Sequence, residues 1–216
     1  LLALPIGNIS FSKLNQYPEI IRVMAKIKKS CAKANTNIGA MDKEIGKAIE
    51  QACGELQEGK FDDQLTVDMF NGGGAIAINM VVNEIIANRA NELLTGRKGY
   101  EKVHPNTHVN MCQSTNDVVP SAIKLVSYEA SLQLVSAVKK LEEALAEKAA
   151  EFKDKVKLGR TCLNDALPIT FEQEFSGYAS GIKRQRQRIE AALEDWLKSS
   201  KASLQRQRIE AALEDW

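Results

Sequence analysis

The sequence predicts a mainly α-helical protein: a small helical amino-terminal domain, then long antiparallel helices of an incomplete central bundle. Three observations predict it. Ala, Ile, Leu, Glu, Lys and Gln abound while aromatic residues are only 6%, a bias towards helix formers. Apolar residues recur at three- and four-residue spacing along most of the chain. Residues 117–154 contain one proline, Pro120, and no glycine, a run that would extend about 55 Å as a single helix.

The elements follow in order. Residues 18–34 begin with Pro18 and place apolar side chains at 20, 21, 24, 27 and 31, which predicts a helix. In "MDKEIGKAIEQACGELQEGK", Asp42 reads as the N-cap, positions 45, 49, 53 and 56 as the apolar face and Gly59 as the stop. "DQLTVDMF" (63–70) alternates and reads as a short extended piece. "NGGGAIAINMVVNEIIANRANELLTG" reads as a glycine-rich turn feeding a helix that ends at Gly96. The first long bundle helix carries a stripe of Leu134, Val138, Leu141, Leu145 and Phe152. A second starts at "TFEQEF", where Thr170 and Gln173 have capping-box spacing, with a stripe of Phe171, Phe175, Tyr178, Ile182, Ile189, Leu193 and Trp196. "KLGRTCLNDALPI" joins the two, with Gly159 as the stop of the first. One helical hairpin cannot bury both its faces, so further helices must pack on it. The domain boundary is expected between residues 1–112 and 113–216.

The string "QRQRIEAALEDW" occurs at 185–196 and again, identically, at 205–216. Natural repeats drift, and solenoids need about three or more copies. The second copy reads as an artefact rather than a natural repeat, and residues 197–216 are a doubtful duplicated tail. The chain starts with Leu and stops within a helix, so both ends are expected to be trimmed.

The 216 residues have a net charge of +1, which gives no argument for nucleic acid or a membrane surface as partner. "LLALPIG" lacks a basic flank and breaks at Pro5, so it does not read as a signal peptide. No apolar run approaches the roughly 18 residues that span a bilayer. Cys31, Cys53, Cys112 and Cys162 are far apart and form no CxxC pattern, which fits free thiols in a reducing cytoplasm.

Two clusters suggest chemistry. "HPNTHVNMCQSTNDVVPSA" (104–122) crowds Asn106, Thr107, Asn110, Gln113, Ser114, Thr115 and Asn116 ahead of the long helix. Such residues cap helices, but a cap needs only one of them. A helix N-terminus with neutral hydroxyl and amide donors also suits an anion. "GRTCLNDALP" (159–168) offers Arg160 and Thr161 as donors and Cys162 as a thiol. Arg160 also fits a helix C-cap or an ion pair with Asp165, and a nucleophilic Cys162 has only His104 and His108 as candidate bases. Those histidines have H-x-x-x-H spacing, yet Pro105 opposes the helix that would align them and no third ligand stands out, so no metal is expected. "NGGGAIA" (71–77) lacks the Lys-Ser/Thr of a Walker loop and the third glycine of a dinucleotide fingerprint. "KRQRQRIE" (183–190) reads as a solvated helix face.

Together these segments resemble the aspartase/fumarase superfamily. "GGGAIAINMVVNEIIANRANELL" is similar to its glycine-rich loop and N-M-x-x-N-E helix, and "FDDQLTVDMFNGG" to the approach to that loop. "HPNTHVNMCQSTNDVVPSA" resembles H-P-N-x-H-V-N…Q-S-[ST]-N-D-x-x-P-[ST]. "GRTCLNDALPITFEQEF" resembles G-R-T-x-x-x-D-A-x-P-x-x-x-x-Q-E. The resemblance covers most of residues 18–196 and is closest to the aspartate ammonia-lyase branch. It implies a cytoplasmic homotetramer without cofactor, whose active sites draw on three subunits. It also implies addition or removal of ammonia or water across the C2–C3 bond of a four-carbon dicarboxylate. By that pattern Ser114, Thr115 and Asn116 grip the substrate carboxylate and its aci-carboxylate intermediate. Thr161 and Cys162 come from another subunit as catalytic residues, with Thr161 also touching substrate. His104 and Asn106 hold a second carboxylate.

The departures bear on substrate. Cys162 stands where fumarases have His and aspartases commonly Gln, which disfavours water chemistry. Ala75, Ile76 and Ala77 stand where Gly-Thr and a polar residue are usual; Thr107 replaces Asp and Glu172 replaces Gly. The family's loop with the general-base serine and a substrate-binding lysine is not among these residues. The 216 residues alone are therefore expected to have no turnover. A class II fumarase and a non-catalytic structural homologue are the alternatives.

Overall fold

The computed structural model describes residues 12–70 and 75–206. The glycines at 72–74, the "LLALPIG" opening and the repeat from 207 onward lie outside them. The described residues form two compact units, divided between Val126 and Ser127.

In the first unit, α1 (Pro18–Asn37), α2 (Lys43–Gln57) and α3 (Ile76–Thr95) pack together. Pro18 opens α1, where its missing N–H costs nothing, and Glu19 complements the positive end of the helix. Asp42 caps α2 as expected, its carboxylate accepting from the N–H groups of Glu44 at 2.7 Å and Ile45 at 3.4 Å. Gly96 ends α3 with φ +74, and its N–H donates to the Glu92 carbonyl. The core joins Ile21, Met24, Ile49, Leu56, Val82, Ile86, Val103 and Val109 with Val118, Val119 and Ala122 from the start of α4 (Thr115–Glu151). The alternating 63–70 segment is mostly irregular: a 3-10 turn at Asp62–Gln64, then one antiparallel bridge from Asp68 to Lys13.

In the second unit, the rest of α4 runs antiparallel to α5 (Phe171–Arg206), with Phe152 against Phe171 and Phe175 and Glu142 against Arg186. Thr170 and Gln173 form the expected capping box: each backbone N–H donates to the other's side chain, at 3.0 and 3.2 Å. The stripes need correction. The face of α4 that loses solvent is Val135, Val138, Glu142, Leu145, Ala149 and Phe152, while Leu134 and Leu141 stay about half exposed. On α5, Tyr178 and Trp196 are exposed, and Arg186, expected on a solvated face, is largely buried between Glu142 and Glu190. Burying a charge is tolerable here because both partners are carboxylates.

The connection between the helices is a β-hairpin, not an irregular linker. Strands β1 (Val156–Thr161) and β2 (Asn164–Thr170) pair antiparallel, with a bulge between Leu158 and Arg160. Gly159 is therefore a strand residue rather than a helix stop, and Arg160 a cross-strand neighbour of Asp165 rather than a C-cap. The glycine is needed because a Cβ there would sit 2.6 Å from the Leu167 carbonyl oxygen.

Candidate active site

The polar turn between α3 and α4 is built on a buried amide framework. Asn79 and Asn83, one helical turn apart on α3, face the turn and have almost no exposed surface. Asn110 Oδ1 accepts from Nδ2 of both, each at 3.2 Å, and Asn79 Nδ2 also donates to Thr115 Oγ1 at 3.1 Å. Asn110 Nδ2 donates to the Gln113 carbonyl at 3.1 Å. Gln113 Nε2 donates to the carbonyls of Val109 and Met111, and its Oε1 accepts from Lys28 Nζ at 3.2 Å. Lys28 is fully buried, and loss of hydration lowers its ammonium from 10.5 to about 8. Asn91 braces the other end of α3. It accepts from the N–H groups of Lys102 and Val103 and donates to the carbonyls of Ala87 and Val103.

This framework accounts for Asn110 and Gln113, read from sequence as surplus donors: they hold the turn. It leaves a smaller set facing outward. Ser114 takes the capping role at the start of α4, its Oγ accepting from the Asn116 N–H at 3.2 Å and its carbonyl from Asp117 and Val118. With that oxygen accepting, the Ser114 O–H remains able to donate. Thr115 is half-buried beside it and Asn116 is exposed. Pro120 lies within α4 and has no N–H to offer the Asn116 carbonyl four residues back.

His104 and Asn106 lie in the same unit. Pro105 does not oppose a helical turn, as expected, but opens one: Pro105–Val109 winds as a single π turn, with proline at a first position where no N–H is required. His104 caps it, Nδ1 accepting from the N–H groups of Asn106 at 3.2 Å and Thr107 at 3.3 Å. The proton of neutral His104 therefore sits on Nε2. The His104 N–H donates to His108 Nδ1 at 2.9 Å, and burial, with His104 nearby, lowers the His108 pKa. Both Nδ1 atoms are committed to backbone donors. Among the described residues, no group of three His, Cys, Asp or Glu side chains gathers as a metal site.

Thr161 and Cys162 belong to the second unit, at the tip of the β-hairpin. Cys162 and Leu163 have φ of +48 and +66, the type I′ pattern. Thr161 and Cys162 are exposed, and Leu163 is 95% exposed. Both histidines of the chain lie in the first unit.

The residues that sequence reasoning passed over are Lys28, Asn79 and Asn83. A signal existed. Asn79 and Asn83 lie four apart on a helix that is otherwise apolar on several sides, where a polar side chain must find a partner.

Comparison with known proteins places these helical units among lyases. Residues 9–205 match the family model described as Lyase. The chain is 44% identical over 191 residues to the aspartate ammonia-lyase of Helicobacter pylori, covering 88% of this chain and 41% of that protein. It is 40% identical over 188 residues to the aspartate ammonia-lyase of Escherichia coli, covering 86% and 39%. The class II fumarate hydratase of Caulobacter vibrioides is 42% identical over 190 residues, covering 87% and 41%. A crystal structure described as fumarate lyase:delta crystallin from Brucella melitensis superposes with a TM-score of 0.81 at 39% identity, covering 87% of this chain and 44% of that one. This chain belongs to that lyase family, within the aspartase/fumarase superfamily. It spans about two fifths of the length of the curated relatives it matches. No helix among the described residues is long and apolar enough to cross a membrane.

Proposed function

We propose that this chain is part of an aspartate ammonia-lyase, which eliminates ammonia reversibly from L-aspartate to give fumarate. The observation that carries the reading is the donor polarity at the start of α4, where the Ser114 oxygen accepts from protein N–H and leaves its hydrogen for a ligand. Removal of the proton beside a carboxylate generates a dianionic aci-carboxylate, and ammonia then leaves the neighbouring carbon as the double bond forms. Neutral donors already in place stabilise that developing charge without reorganising. Ser114, Thr115 and Asn116 hold the reacting carboxylate, and Thr161 and Cys162 act from the hairpin of another subunit. His104, with its proton on Nε2, and Asn106 hold the second carboxylate. The protein works as a cytoplasmic homotetramer without cofactor or metal, and the general base lies outside these 216 residues. The 216 residues alone give no turnover.

Cys162 favours ammonia over water, because thiol replaces the imidazole usual in fumarases. A fumarase reading is supported by the 42% identity to the Caulobacter enzyme. A non-catalytic structural role is favoured by exposed Ile76, which offers no hydrogen bond at the start of α3. Following fumarate formation by absorbance, with aspartate and malate offered separately to the whole protein, separates the three. Fumarate from malate but not from aspartate would sink the ammonia-lyase reading, and none from either would support the structural role.

A further inference from the structure

The hydrogen-bond polarity beneath Thr115 can be derived link by link. Asn110 Nδ2 donates to the main-chain carbonyl of Gln113. Turning that amide over would set two acceptor oxygens against each other, so Asn110 Oδ1 must face α3. There it meets Asn79 and Asn83, and each must present N–H to it for the same reason. Asn79 thus keeps its NH2 towards the turn, and its second hydrogen goes to Thr115 Oγ1. In this orientation Asn79 Oδ1 and Asn83 Oδ1 are buried with no hydrogen-bond partner among the described residues. Asn110 imposes it.

We propose that Asn79 is a positioning residue: its N–H occupies one lone pair of the Thr115 hydroxyl, which stops the Thr115 O–H from turning inward towards α3 and keeps it available as a donor to a carboxylate. Asn79 is buried, so its action runs through Thr115. Without it, the O–H is free to turn towards α3, which leaves only lone pairs facing a carboxylate, and lone pairs repel it. The proposal rests on the reading above, in which Thr115 grips that group.

Two measurements on the whole, assembled protein test it. The first is the NMR shift of the Asn79 side-chain amide protons in wild type, Thr115→Val and Thr115→Ser. Loss of the acceptor in Thr115→Val should move one of the two protons upfield, and Thr115→Ser should restore it. Two unmoved protons in Thr115→Val overturn the proposal, whether or not a ligand binds. The second is succinate affinity in a double-mutant cycle. Asn79→Leu should weaken binding by about tenfold or more, the scale of one hydrogen bond to a charged group. In a Thr115→Val background the same replacement should change it by less than about twofold. Fully additive losses would mean that Asn79 acts independently of Thr115, and would overturn the proposal. Failure of wild type to bind succinate overturns the dicarboxylate reading instead, while the amide protons still decide the role of Asn79.

Discussion

Replacing Lys28 with Met removes a cation that has no exposed surface and whose Nζ reaches Gln113 Oε1 at 3.2 Å. Burial lowers this ammonium from 10.5 to about 8. At about 1.36 kcal/mol per pH unit, the native state disfavours the charge by about 3 kcal/mol relative to the unfolded chain. Between those values the unfolded chain holds the proton and the native protein releases it, so native stability rises with pH across the window. Below pH 8 both states are protonated and the group adds no slope. From about pH 7 to about pH 9.5 wild type should therefore gain about 2 kcal/mol from Lys28, and Lys28→Met should gain none of it. The Cys53 thiol, pushed up to about 12 by burial, stays protonated over this range in both proteins and cancels in the difference. Near pH 7 the relief of desolvation is offset by the stranded Gln113 oxygen, which costs about 1–3 kcal/mol, so the two proteins should be nearly equal in stability. Urea unfolding at the two pH values measures the difference. A difference between wild type and variant that stays constant within about 0.5 kcal/mol, close to the extrapolation error, refutes the reasoning.

Gly46 and Gly54 lie on the same helix but should respond oppositely to alanine. A Cβ at Gly46 collides with Thr36 Oγ1, so Gly46→Ala should destabilise by about 1–3 kcal/mol, whereas Gly54 has open space and Gly54→Ala should stabilise by about 0.5–1 kcal/mol. Equal shifts in melting temperature would contradict this. The turn Cys162–Leu163 holds two non-glycine residues at positive φ, so the double replacement Cys162→Asn with Leu163→Gly should stabilise the hairpin by about 1–2 kcal/mol in denaturant unfolding. No gain would mean that the turn is unstrained. Arg89 contacts Glu55 through two nitrogens, at 2.7 and 3.1 Å, and holds its carboxyl below the usual range. Glu55→Gln should cost less than about 1 kcal/mol at neutral pH. Because the native carboxyl is depressed, that contribution is present above pH 4.5 and is lost as the pH falls through the native value. A cost that persists unchanged in acid would place it in packing instead.

The helices were legible because their signals are local. Asp42, Gly96 and the Thr170–Gln173 pair act on backbone groups within four residues, so sequence spacing alone locates them. The donors at 114–116 were legible for the same reason, since they stand at the mouth of a helix whose start the sequence marks. The hairpin at 156–170 was not. A two-stranded ribbon depends on which residue faces which, and Gly159 reveals its purpose only opposite the Leu167 carbonyl. Arg186 was likewise misread, because nothing near it in sequence points to Glu142, 44 residues away.

The sequence by itself determined a helical chain of this lyase family and which uncharged side chains gather before the long helix. Tertiary structure decided which of them are free to act. Asn110 and Gln113 look the same in sequence as Ser114 and Thr115, yet Asn83, Asn79 and Lys28, from elements distant in the chain, occupy the first two. A buried polar atom must find a partner wherever the fold supplies one, and that partner's distance along the chain carries no information about its distance in space.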